Sequence, residues 1–203
     1  MKNVLSNENI DLAIQYALGN DNVLTALDPN YRNLLLAYLE DINSSTLREA
    51  MILRMLNYVS YPNKHGMDGY CPVTGKQKEV KPKLVFENQK VSSSGKFNDM
   101  STELLNKKDG SDIICAAFFK GKFLYVVEFP YELVKPVLQR KVDSAVVGRR
   151  IQSDFTWKDY NSDSLKVWYF NETLAKDTNS LSKLHFQMLK DRFDSAANRQ
   201  FSS

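Results

Sequence analysis

Seven consecutive residues, Ile113 to Phe119, offer water no polar side chain. Side chains of a strand alternate between faces, so such a run fits a central strand with both faces covered. Lys120-Gly121-Lys122 turns the chain back into Phe123 to Phe129, a second strand. Helical patterns surround this pair. Asn9 to Leu18 reads as a helix ended by Gly19-Asn20. Asp28 caps another that has Pro29 in its first turn, runs to about Ile42 and turns Leu34, Leu35, Tyr38 and Leu39 inward. Ser44 to Val59 forms a third, with Ser45-Thr46 at its cap, Glu49 in its first turn and an apolar stripe from Leu47 to Val59. Pro130-Tyr131-Glu132 opens a fourth, reaching Val142, in which Pro136 implies an early start or a kink. Strands are expected at Arg150 to Phe155 and Leu165 to Phe170. A last helix is expected at Leu181 to Phe193, before a mobile polar tail from Asn198 to Ser203. At 203 residues and 43% hydrophobic, the chain suits one α/β domain with a substantial core.

The chemistry concentrates in a shorter hairpin. Met67-Asp68-Gly69-Tyr70 precedes Cys71-Pro72-Val73-Thr74-Gly75-Lys76, whose Pro and Gly suit a tight turn, and Lys78-Glu79-Val80-Lys81 follows. Glu79 and Lys81 share a strand face and Val80 takes the other. Folding about Val73 and Thr74 brings Asp68 opposite Glu79, give or take one residue. Two carboxylates that close repel unless a cation lies between them, and hard divalent ions such as Mg²⁺ prefer oxygen ligands of this kind. The bland alternative is that Lys76, Lys78, Glu79, Lys81 and Lys83 form the solvated face of an ordinary hairpin.

An acid at the start of one strand and a Glu-x-Lys on its neighbour resembles the PD-(D/E)xK, or restriction-endonuclease-like, nuclease superfamily. Asp68, Glu79 and Lys81 carry the match. Met67 stands where proline is usual, and Pro82 after the lysine requires a bulge or an open edge. The resemblance implies an α-β-β-β-α-β core, a mixed sheet flanked by helices, over about residues 44–170, with a helical addition at 1–43 and a C-terminal helix and tail at 171–203. It implies a metal-dependent endonuclease hydrolysing DNA, of restriction, phage or mobile-element type. Asp68, Glu79 and the Val80 carbonyl would hold Mg²⁺, with Mn²⁺ as a substitute, and Lys81 would position the attacking water. Some members add a glutamate from the preceding helix, a role for which Glu49 is the candidate; a carboxylate favoured by the helix dipole is the other reading. A symmetric duplex substrate would favour a homodimer.

Lys90 to Ser101 is polar and rich in small residues. Ser94, Lys96 and Asn98 are candidate DNA contacts, since hydroxyls and ammoniums bind phosphates and an amide can read an adenine edge. Asp99 or Ser101 would cap a short helix from Thr102 to Lys107. His65, at the mouth of the proposed site, could touch a phosphate, and Arg140-Lys141 and Arg149-Arg150 could track a backbone. His185, Trp157 and Trp168 read as packed. Cys71 and Cys115 fit no zinc spacing. Net charge is +3, which permits nucleic-acid binding without demanding it. No apolar run approaches the roughly 20 residues that span a bilayer and no signal-peptide core opens the chain, so a cytoplasmic protein with no membrane association is expected. The alternative to a nuclease is a non-catalytic DNA-binding or partner-binding α/β protein.

Overall fold

The computed structural model describes residues 6–43, 45–62, 66–91, 94–145 and 151–200. The first elements are α1 (Asn7–Ala17), α2 (Asn22–Thr25), α3 (Pro29–Glu40) and α4 (Thr46–Met55), then β1 (Val59–Ser60), β2 (Gly69–Tyr70) and β3 (Gln77–Leu84). Next come β4 (Gly95–Phe97), α5 (Thr102–Asn106), β5 (Asp112–Phe119) and β6 (Lys122–Pro130). The chain then forms α6 (Lys135–Asp143), β7 (Ser153–Phe155), α7 (Trp157–Tyr160), β8 (Lys166–Phe170), α8 (Glu172–Thr178) and α9 (Lys183–Gln200). The caps at Asp28 and Ser101 form as their residue types suggest. The Asp28 carboxylate accepts from the Asn30 and Tyr31 amides, and the Ser101 hydroxyl from the Leu104 amide. Pro136 resolves into a break: a 3₁₀ turn at Tyr131–Leu133 precedes α6, whose first turn holds the proline. The last helix outruns its expected end. Ala196, Ala197, Arg199 and Gln200 favour helix, and α9 continues through the start of the supposed tail.

A six-stranded mixed sheet, in the order β1-β2-β3-β5-β6-β8, organises the molecule, and β4 pairs with β7 in a separate small ribbon. The β3–β5 pair is parallel and the others are antiparallel. Burial of β5 on both faces follows from its sequence: Ile114, Ala116 and Phe118 pack under α1, α3 and α4, while Ile113, Cys115 and Ala117 join the core on the other face. That second core includes Leu138 of α6, Phe155 of β7 and Leu189 of α9. The helices of residues 1–43 therefore cover one sheet face, supplying Ile10, Ala13, Leu35 and Leu39 to it. Among the described residues, no helix is long and apolar enough to cross a membrane.

Two contacts fix where α4 meets the sheet edge. Arg48, 3% exposed, donates from Nη1 to the Leu39 carbonyl and from Nη2 to the Asp41 carbonyl, both at 2.8 Å, and so caps the end of α3. Gly69 lies so close to β1 and α4 that a Cβ would stand 2.4 Å from the Val59 carbonyl oxygen and 2.9 Å from Leu53 Cδ1. Only glycine lets the strand after Asp68 pass there.

Candidate active site

The hairpin turns where its Pro and Gly suggest. The Gly75 amide donates to the Cys71 carbonyl at 2.8 Å, with Gly75 at φ +71°. Gly69 pairs with Lys78 and Tyr70 with Gln77, a register that points Asp68 toward Glu79. The Asp68 amide still donates to the Lys78 carbonyl at 3.0 Å. Its carboxylate reaches past Glu79 and accepts the Val80 N–H at 2.7 Å.

That bond defines the local geometry. In a strand, N–H groups two residues apart point the same way. The Val80 amide faces Asp68, so the position of Pro82 faces the same side, away from β5. There the missing donor of Pro82 costs no ladder bond. Among the described residues, no strand pairs with β3 on that side beyond Lys78. The Val80 carbonyl shares the direction of its amide and faces this open edge.

Glu79 and Lys81 share the opposite sheet face, as alternation requires. Glu79 is 6% exposed; Lys81 Nζ donates to its Oε1 at 2.5 Å and Lys108 Nζ to its Oε2 at 2.6 Å. Both ammoniums also lie over the Phe97 ring, at 4.3 and 5.3 Å from its centroid. Burial works against the charged form of Glu79, but Lys81 and Lys108 outweigh it and hold the carboxyl below its usual range. Asp68 goes the other way. Burial first, then the Glu79 charge, raise it to about 6; Glu49 adds to the rise, and the Val80 amide and Lys81 only partly oppose it. The charges of Glu79 and Glu49 thus both bear on Asp68 at this sheet edge. Glu49 reaches it from the first turn of α4, and its Oε1 accepts the Ser45 hydroxyl. Ser45 is spent on Glu49 and makes no side-chain cap to α4.

Val80, Lys81, Glu49 and Ser45 line a cleft of about 410 Å³, together with Pro82, Lys83, Ser94, Gly95 and Lys96. The β4 strand forms its far wall. A Cβ on Gly95 would stand 2.5 Å from the Phe155 ring and 3.1 Å from Lys81 Cγ, so glycine lets β4 press on the lysine stem. Lys83 is held below the usual lysine range by burial and by the Lys96 charge.

The sequence candidates fare unequally. Asp68, Glu79, Lys81, Val80 and Glu49 converge. Lys96 lines the cleft, and Asn98 is exposed, accepting from Gln152 Nε2 at 3.0 Å. Ser94 turns inward: it is 3% exposed, its hydroxyl is 3.1 Å from the Tyr160 hydroxyl, and its amide donates to the Phe155 carbonyl. It nevertheless also lines the cleft, beside Gly95 and Lys96. His65, Arg149 and Arg150 lie outside the described residues. The solvated-face reading of the lysines fails at Lys78, which is 3% exposed beneath Asp112 and Glu128. Trp168 is 45% exposed rather than packed, with its indole N–H on Glu128 at 2.7 Å. His185 and Trp157 stack as core residues, ring centroids 5.2 Å apart, and burial lowers His185 to about 4.

The donor set fits a hard cation in kind: carboxylates and a strand carbonyl, all oxygen. Among the described residues, no three His, Cys, Asp or Glu side chains stand together as a ready metal-binding group. Both Glu79 oxygens hold ammoniums, so an ion would have to displace one of them. No protein-family model and no curated protein matches the chain.

The elevated Asp68 value has a direct check. In metal-free protein its carboxyl is expected to titrate near pH 6 by carbon-detected NMR, and Glu79→Gln should lower that midpoint. A raised folded-state value means the stability tied to protonated Asp68 is full below about 4 and is lost as pH rises through about 6. Added Mg²⁺ should depress the midpoint; an unmoved midpoint would argue against cation binding here.

Proposed function

We propose that the protein is a metal-dependent nuclease of the PD-(D/E)xK kind, acting on DNA phosphodiester bonds. The observation that carries this reading is the Asp68 carboxylate held on the Val80 amide at the open edge of β3, where the Glu79 and Glu49 charges bear on it, with Lys81, Lys83 and Lys96 lining the adjoining cleft. Such repulsion weakens a fold unless a ligand relieves it. The succession α4, β1, β2–β3 hairpin, β5, β6, α6, β8 supports the comparison, with two sheet strands more than an α-β-β-β-α-β core.

Asp68, Glu79 and the Val80 carbonyl would hold Mg²⁺ or Mn²⁺, with Glu49 as a further ligand. When bound, the ion supplies Lewis-acid polarisation and charge neutralisation at the phosphate. Lys83 and Lys96 hold the anionic backbone in the cleft. The Lys81 ammonium, fixed by Glu79 and Phe97, orients the attacking water and offsets negative charge that develops in the transition state. The Val80 amide holds the Asp68 carboxylate at the open edge of β3.

The test is incubation with plasmid and phage DNA in Mg²⁺, Mn²⁺ or Ca²⁺, followed by mapping of the ends. Cleavage that requires Mg²⁺ or Mn²⁺ supports the reading; discrete bands would indicate sequence specificity and a smear its lack. A second reading, a DNA-binding protein without catalysis, is favoured by the two ammoniums that occupy Glu79. It predicts retained DNA binding with no cutting in any metal.

A further inference from the structure

The two ammoniums on Glu79 are not equivalent. Lys81 stands on the same strand face, with its backbone in register with Cys115 of β5. Its stem is confined where β4 presses in at Gly95, and its Nζ lies 4.3 Å from the Phe97 centroid. It also lines the cleft and acts on the Asp68 charge. Lys108 arrives from outside the sheet, in the turn after α5, between exposed Lys107 and Asp109. That turn is pinned. The Ser111 hydroxyl and amide donate to the Lys108 carbonyl at 2.6 and 3.1 Å, the Gly110 amide donates to Glu132 Oε1, and Asp109 pairs with Lys135. The Lys108 ammonium reaches inward to Glu79 Oε2 at 2.6 Å, and Met67 Sδ, a weak acceptor, lies 3.7 Å away. A flexible stem rooted in a surface turn lets this ammonium swing out to water while the backbone stays where it is.

A buried carboxylate needs a positive partner to stay charged. An ion site built on Glu79 has that partner only while the ion is bound. We infer that Lys108 fills the gap: its ammonium is a built-in stand-in for the divalent cation, holding Glu79 Oε2 in the metal-free protein and leaving it when the ion binds, while Lys81 stays on Oε1. Glu79 is then paired in both states, by two ammoniums without metal and by one ammonium and the ion with it. The contact is a latch on the site. It raises the ion concentration at which the site fills, because apparent affinity falls with the fraction of molecules whose site stands open. The inference rests on the nuclease reading for the place of the ion at Glu79, and adds to it a threshold set by Lys108.

The experiment reads ion binding in the absence of DNA. Full-length protein is titrated with Mn²⁺, the free ion is followed by electron paramagnetic resonance, and the site counted is the one that Asp68→Asn loses. Lys108→Met keeps an apolar stem and removes the charge. It is expected to bind Mn²⁺ about tenfold more tightly, the shift that follows if about one parent molecule in ten stands open. In EDTA its thermal midpoint should fall, because Glu79 keeps Lys81 alone, and saturating Mn²⁺ should raise it by more than it raises that of the parent. A packing role for Lys108 would lower the midpoint without tightening the ion. Should Lys108→Met not fold, the ammonium ¹⁵N resonances of the parent decide: on addition of Mg²⁺, Lys108 should lose its protection from hydrogen exchange and Lys81 should keep it. Unchanged or weaker Mn²⁺ affinity in Lys108→Met, or protection lost from Lys81 instead of Lys108, would overturn the latch. Cutting that requires Mg²⁺ alongside either result would leave the nuclease reading standing. A parent protein without an Asp68-dependent Mn²⁺ site would overturn both. Tighter Mn²⁺ binding by Lys108→Met, with no cutting in any metal, would keep the latch and remove the nuclease reading.

Discussion

Asp68→Ala is expected to cut DNA about 10³-fold more slowly than the parent protein, the scale on which removal of one electrostatic catalytic group acts. Its effect on stability should run the other way from that of an ordinary buried residue. Asp68 sits where burial, Glu79 and Glu49 all disfavour its charge. Removing it relieves that repulsion and sacrifices one hydrogen bond, to the Val80 amide. Asp68→Asn keeps an acceptor for that amide, so it should be as stable as the parent at pH 8, or more so, and still inactive. Lys81→Ala should be inactive too, but for a different reason. It leaves Glu79 with Lys108 alone, and the weakened pairing should lower the thermal midpoint. Cleavage by both variants at the parental rate, measured in Mg²⁺ on plasmid DNA, would dismiss the site. The contrast in stability tells whether Asp68 is held against its own electrostatics, as functional groups commonly are.

The two hairpins were legible because their signals are local. Ile113 to Phe119 lacks any polar side chain, and Pro72 and Gly75 punctuate a short turn, so β3, β5 and β6 could be anticipated within a few residues. Alternation likewise put Glu79 and Lys81 on one face. Partners from distant sequence were not legible. Lys108 reaches Glu79 from just past α5, and nothing in Asn106-Lys107-Lys108-Asp109 separates it from its neighbours. Lys83 looked like one more surface charge until β4 folded Lys96 over the same cleft. β7 falls within the strand expected at Arg150 to Phe155, but its partner β4 escaped detection because a three-residue strand carries too few alternations to stand out. The inward bond of Ser94 was not legible, because small polar residues in a loop serve phosphates and inward hydrogen bonds equally well, and nothing in the sequence places Tyr160 beside it.

Lys78 gave the least warning and should have the largest effect on stability. It lies on the sheet face opposite its neighbour Glu79, with its side chain 4% exposed, and donates to Asp112 at 2.6 Å and Glu128 at 2.5 Å. Asp112 keeps a second partner in Lys76. Glu128 has no other cation among its described partners: the remaining contacts are the Tyr58 hydroxyl and the Trp168 indole, both neutral. Lys78→Met preserves length and apolar bulk but strands that carboxylate, and it should destabilise the fold by about 3–5 kcal/mol. Burial opposes the charged form of Lys78, but the two carboxylates outweigh it and raise the ammonium above its usual range; the pairing correspondingly holds Asp112 low. The stability tied to Asp112 is present above about pH 4 and is lost as acid titrates it through its lowered value. The deficit of Lys78→Met should therefore be full at pH 7 and shrink toward pH 3, as measured by urea unfolding across that range. Adding Glu128→Gln to Lys78→Met should recover part of the loss at pH 7, because it removes the stranded charge and retains an acceptor for Tyr58 and Trp168. The two changes would then be strongly non-additive, as members of one network are. Additive losses, or a deficit independent of pH, would mean that Lys78 acts through packing alone. In that case β3 would owe its position behind Glu79 and Lys81 to the apolar core rather than to this ion network.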